Sequence, residues 1–175
     1  MKKRTKIIIS SATALILMFA ALFFVLRALY PKPYADTVKN YDIEPDIVYS
    51  LMKTESGFRE NAKSSAGAVG IMQIKPSTAQ FICERTNIPF ETERLYEGEY
   101  NVSLGCAYLL YLSERFGDIK TVLSAYNAGE GSVSKWLEDK RYSDDGIHLK
   151  EIPYSETRNY VKKIDRYRKI YKILY

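Results

Sequence analysis

Histidine is almost missing from this 175-residue chain, which holds only His148, and cysteine is nearly as scarce, with Cys83 and Cys106. One histidine and two cysteines are too few for a zinc site of the usual kind. No metal and no cofactor is therefore expected, and His148 reads as a surface residue. Both cysteines sit among apolar neighbours, which suits buried thiols; an extracytoplasmic domain would also let them pair as a disulfide. A surplus of one charge is lacking too, despite a net charge of +5: five of the 26 basic residues lie at or before Arg27, leaving 21 against 21 acidic ones. So even a balance gives no footprint for nucleic acid. No internal repeat is visible, and no pair of alternating strands.

Charge is absent altogether from Ile7 to Leu26. As a helix those residues would span about 30 Å, the thickness of a bilayer's hydrocarbon core. A cleaved signal peptide would have an apolar region of roughly 7–15 residues ending at a small-x-small site. This run is longer and closes with Phe23, Phe24, Val25, Leu26 and Arg27, so a retained single-pass anchor is expected. Lys2, Lys3, Arg4 and Lys6 would hold its start in the cytoplasm and place the rest on the extracytoplasmic side of the cell membrane. The expected division is a basic tip and anchor over 1–30, a linker over 31–40 opened by Tyr30-Pro31-Lys32-Pro33, and one domain over 41–175.

That domain reads as all-α. Glu44-Pro45-Asp46 starts a helix whose stripe is Val48, Leu51, Met52 and Glu55, ended by Gly57. Pro76 starts a second, running to about Arg85. Tyr100–Arg115 is a third, broken at Phe116-Gly117. Asp118 caps a fourth that Gly129 stops, and Val133, Trp136 and Leu137 mark a short fifth. Ser155 is expected to cap the last helix, faced by Tyr160, Val161, Ile164, Tyr167 and Tyr171. Arg158 to Lys172 holds seven basic residues and one acid, Asp165: a solvated helix face, or a contact for lipid head groups or an anionic polymer.

Glu55 is the anomaly on an apolar stripe. Desolvation there raises a carboxyl pKa and favours the neutral form, which a general acid needs near pH 7. Spacing by itself leaves open an ordinary glutamate reaching water at a helix end. The small residues Ser56, Gly57, Gly67, Ala68 and Gly70 leave room for close approach of a ligand to backbone. Gln73 adds an amide that donates and accepts, and the many tyrosines offer faces on which sugar rings stack.

Five segments, taken in order, resemble the catalytic domain of lytic transglycosylases, relatives of goose-type lysozyme. They are Glu55-Ser56-Gly57-Phe58; Ser65 to Gln73, with Ile71 for the usual Leu; Asn101 to Leu109, with Val102 for Ile; Ala125-Tyr126-Asn127-Ala128-Gly129; and Glu156 to Val161. The resemblance covers roughly Tyr41 to Tyr171 and implies a lysozyme-like helical domain. It implies cleavage of the β-1,4 bond between N-acetylmuramic acid and N-acetylglucosamine in peptidoglycan glycan strands, with a 1,6-anhydro product. Glu55 would be the single acid and base. Ser56, Gly70, Ile71, Met72, Gln73, Tyr126, Asn127 and Tyr160 match cleft positions. One carboxylate suffices when a substrate acetamido group assists at C1 and the sugar's 6-hydroxyl is the nucleophile, an exception to the two-carboxylate rule. Such enzymes open the wall for secretion, conjugation or sporulation machinery. The alternatives are a hydrolytic lysozyme of the same fold, with its water-activating acid between Glu91 and Glu99, and a non-enzymatic wall-binding module.

Overall fold

The computed structural model describes residues 2–175, with side chains from Thr13 onward. Among the described residues are eight α-helices: α1 (Lys2–Leu29), α2 (Ala35–Lys39), α3 (Pro45–Glu55), α4 (Pro76–Thr86), α5 (Gly98–Phe116), α6 (Ile119–Ala128), α7 (Glu130–Glu138) and α8 (Ser155–Leu174), with a 3-10 turn at Glu93–Tyr96. The expected all-α class is observed. Strand pairing among the described residues is limited to isolated antiparallel bridges, Lys63 with Val69 and Val69 with Ile74.

The core forms around α5, where Val102, Leu104, Cys106, Leu109 and Leu112 are fully buried. Helix α4, the 3-10 turn and α6 pack on α5, while α3 packs on α8. Pro45 and Pro76 open their helices at the first turn, where a missing N–H costs nothing. Asp118 caps α6, its carboxylate accepting from Thr121 N at 3.0 Å. Ser155 does not cap α8. The cap position falls on Tyr154, whose backbone is extended, so Ser155 is already helical and its hydroxyl makes no capping bond.

Helix α3 ends as expected at Gly57. Ser56 is its C-cap, Gly57 follows at φ +62°, and Phe58 N reaches back to Met52 O at 3.5 Å. This wrap needs a left-handed residue, which glycine takes without a Cβ penalty.

The basic run on α8 is neither simply solvated nor wholly free. Arg168, only 14% exposed at its side chain, bonds Asp46 at 2.9 Å and Glu44 at 3.1 Å, and Lys172 bonds Glu44 at 3.2 Å. These acids sit at the start of α3, so the pairs pin the two helices together at the end opposite Glu55. The expected linker also carries structure. Residues 35–39 form α2, which packs on α5 and buries Val38.

Among the described residues no helix is long and apolar enough to cross a membrane. The expected span began at Ile7, and residues 7–12 lie outside the described side chains. The part that is described exposes Leu15, Ile16, Leu17, Met18, Phe19, Phe24 and Val25, each at least half accessible.

Both cysteines are free and buried. Cys83 Sγ lies 3.5 Å from Tyr100 Oη, and burial pushes the Cys106 thiol up to about 12. A thiol held so far above the usual range is inert. The melting temperature should therefore be the same with and without dithiothreitol; a drop on reduction would reveal a bridge.

Candidate active site

Glu55 is the last residue of α3, and its carboxylate meets α8. The Tyr160 hydroxyl donates to Glu55 Oε1 across 105 positions of sequence. Burial pushes the Glu55 carboxyl up to about 7, against the lowering effects of the Tyr160 hydrogen bond and the Lys163 ammonium. Its place at the negative end of a helix dipole acts in the same sense as burial. Tyr160 is itself buried, and burial next to Glu55 holds its hydroxyl well above the usual tyrosine range. It is therefore a permanent donor at neutral pH.

Two cavities meet at this carboxylate. One of about 780 Å³ is lined by Glu55, Arg59, Glu60, Lys63, Ser64 and Gln73 among others. The other, of about 450 Å³, shares Glu55, Ser64 and Gln73 and continues past Thr78, Tyr108, Tyr126, Asn127 and Glu156. Glu55 and Gln73 thus stand at the middle of a continuous trough. Tyr108 and Tyr126 form an aromatic wall, their ring centres 5.3 Å apart.

The loop carrying Gln73 is tied from three sides. Ser56 is 3% exposed and donates to Ile71 O at 2.7 Å. Tyr126 Oη donates to Met72 O at 3.0 Å. Asn101, fully buried on α5, accepts from Met72 N at 2.8 Å and donates to Val69 O at 3.1 Å and Leu95 O at 2.8 Å. Its amide thereby spends both donors and one acceptor on backbone. Gly70 makes this approach possible: at φ +81°, an added Cβ would lie 2.2 Å from Asn101 Nδ2. Gln73 is held at φ +52°, its amide donating to Ala62 O at 3.1 Å and Gly70 O at 2.9 Å.

The sequence-derived residues therefore divide. Glu55, Gln73, Tyr126 and Asn127 line the trough. Tyr160 reaches Glu55 from the buried side. Ser56, Gly70, Ile71 and Met72 are buried and shape the loop from behind, lining neither cavity. Asn101 and Tyr108 belong to the site although no sequence motif assigns them to it. The signal was available for Asn101: it is a polar residue on the buried stripe of α5, the same anomaly that marks Glu55 on α3. The acids of Glu91 to Glu99 line neither cavity, whereas Glu60 lines one and Glu156 the other. His148 is exposed and pairs with Asp145, Nδ1 to Oδ2 at 2.6 Å. Among the described residues, no three His, Cys, Asp or Glu side chains gather as a metal site.

The Transglycosylase SLT domain family matches residues 34–148. The soluble lytic murein transglycosylase of Escherichia coli (strain K12) is 35% identical over 155 residues, covering 84% of this chain and 24% of that protein. The membrane-bound lytic murein transglycosylase C of Actinobacillus pleuropneumoniae serotype 5b is 32% identical over 156 residues, covering 76% of this chain and 43% of that one. The solved structure of an inactive glutamate-to-glutamine mutant of a Pseudomonas aeruginosa lytic transglycosylase superposes with TM-score 0.73 at 32% identity, covering 83% of this chain and 25% of that one. The chain spans about a quarter of the length of the soluble relatives.

A raised carboxyl pKa has a stability signature. Below about pH 4.5 Glu55 is protonated folded and unfolded, so its burial costs little. Between 4.5 and about 7 the unfolded chain loses the proton first, and stability falls. Above 7 the folded protein carries the full cost of a buried charge, at most about 3 kcal/mol. Glu55→Gln should therefore raise the melting temperature at pH 8 and leave it nearly unchanged at pH 4. A difference independent of pH, measured by calorimetry, would show that Glu55 is not desolvated.

Proposed function

The chain belongs to the Transglycosylase SLT domain family, and on that footing we propose that it is a membrane-anchored peptidoglycan lytic transglycosylase. The observation that carries the reading is a carboxyl held near pKa 7 where two cavities join. A polymer laid along the trough places a glycosidic oxygen beside a group of which a large share, about half, still carries its proton at neutral pH. Tyr160 occupies Oε1, leaving Oε2 to carry the proton. Transfer to the leaving oxygen of the N-acetylmuramic acid–N-acetylglucosamine bond makes Glu55 a carboxylate. It then takes the proton of the muramic 6-hydroxyl as that oxygen closes on C1. The Tyr160 hydrogen bond supports the anionic stage, so one residue serves as acid and then base. Loss of activity on a glutamate-to-glutamine change in the Pseudomonas aeruginosa relative supports a glutamate in this role. Gln73 and the Tyr108–Tyr126 wall bind sugar hydroxyls and faces.

A hydrolytic reading keeps one observation in its favour, since Glu60 and Glu156 line the trough and either can activate a water. Products decide. Purified peptidoglycan should yield 1,6-anhydromuropeptides, lighter by one water than hydrolysis products in mass spectrometry; reducing muramic ends would favour the lysozyme reading. Glu55→Gln should lower the rate about 10²–10⁴-fold. Wild-type activity should decline as the pH rises through about 7, where the acid is lost.

Membrane attachment rests on the uncharged run from Ile7 to Leu26, on the exposed apolar side chains of α1, and on likeness to a relative described as membrane-bound. The full chain should stay in the membrane pellet after carbonate washing, and a chain starting at Tyr30 should not. Release of the full chain by carbonate would remove the anchor.

A further inference from the structure

The residues just past the uncharged run are clamped, not loose. Leu29 O accepts from Lys53 Nζ at 2.7 Å, Tyr30 O from Tyr175 Oη at 3.0 Å, and Pro31 O from Tyr171 Oη at 2.9 Å. Three successive carbonyls are thus held by α3 or by the end of α8. The Tyr30 ring packs edge-on against Tyr167 and Tyr171, with centres 5.8 and 5.7 Å away. The Arg27 guanidinium and the Lys32 ammonium both lie over the Tyr175 ring, at 4.5 and 4.2 Å from its centre. This cluster sets the last turn of α8 beside the point where α1 ends.

Among the described residues, that turn keeps apolar surface open to solvent. Ile173 is 82% exposed and Tyr175 46%, beside Leu29 of α1 at 54%. We propose that the C-terminal turn of α8 is a second bilayer contact, with Ile173 and Tyr175 seated in the interface of the leaflet from which α1 emerges. The inference rests on the anchor reading above and goes beyond it. The occupant is argued from continuity: a turn bonded to Tyr30 and Pro31 lies level with the end of the apolar run. The chemistry fits that depth. Tyrosine is favoured where an apolar ring and a polar tip meet water and lipid at once. Arg27 and Lys32 bring positive charge to the level of the head groups.

The consequence is positional. Tyr160, which bonds Glu55, lies on the same unbroken helix as Ile173 and Leu174 and precedes its C-cap, Tyr175, by about 15 residues, or about 22 Å. With one end of α8 at the lipid surface, the trough lies within about that distance of it. The enzyme then works on the glycan closest to the membrane, at a height set by helix length.

Tryptophan substitution in full-chain proteoliposomes tests this, read as emission above the wild-type signal of Trp136. Ile173→Trp should lose most of its emission to a quencher attached to the lipid head group and little to aqueous iodide. Tyr154→Trp, at the opposite end of α8, should behave the other way. If Ile173→Trp is open to iodide in protein that sediments with the vesicles, the second contact is wrong and the anchor stands. If the protein fails to sediment, the anchor reading falls and takes this inference with it.

Discussion

A carboxylate kept out of bulk water is the constraint around which the rest of this structure is arranged. Glu55 closes α3, and the segment after it turns at Gly57. The shielding comes from α8, which packs along α3 and brings Tyr160 to the carboxylate. Burial outweighs the tyrosine hydrogen bond, and the acid titrates near neutrality. The α3–α8 pair is held at its far end by Arg168 and Lys172 against Glu44 and Asp46. The α3–α8 interface thus has ion pairs at one end and the desolvated acid at the other.

The facing wall of the trough solves a different problem. A tight loop inside a helical protein presents backbone groups that no helix satisfies. An unpaired buried amide or carbonyl costs about 1–3 kcal/mol. Side chains from three helices answer this. Ser56 follows α3, Asn101 lies on α5 and Tyr126 lies on α6, and each bonds the stretch from Val69 to Met72. The loop is therefore only as rigid as the packing of those helices, and the position of Gln73 opposite Glu55 follows from it.

The two arrangements meet in α8, which faces the trough near its start and α1 at its end. Exposed apolar side chains on α1 and at Ile173 face the same demand from water as any apolar surface, and the bilayer contact proposed above would meet it at both. The tyrosine that bonds the Glu55 carboxyl and the turn that lies beside α1 thus share one helix.

Much of this was legible in the sequence because it is local. Period and punctuation located the helices: Pro45, Pro76, Asp118, Gly57 and Gly129 act within a turn of where they stand. Glu55 could be singled out because a charged residue on an apolar stripe contradicts its own neighbours. What the sequence left undecided is what depends on contacts between distant segments. The cap of α8 moved from Ser155 to Tyr154 because backbone conformation, not residue type, sets the cap. The expected linker became α2 because Val38 finds a place against the core. The acids that line the trough with Glu55 are Glu60 and Glu156, not those of Glu91 to Glu99, since no pattern of spacing says which loops converge. Sequence by itself determined the class of fold, the presence of a carboxyl on an apolar helix stripe and the uncharged run. Only tertiary structure decided that Ser56 and Asn101 are struts, that Tyr160 bonds the acid, and that the end of α8 lies beside α1. Those outcomes depend on burial and hydrogen bonding between groups 15 to more than 100 positions apart, which periodicity does not encode.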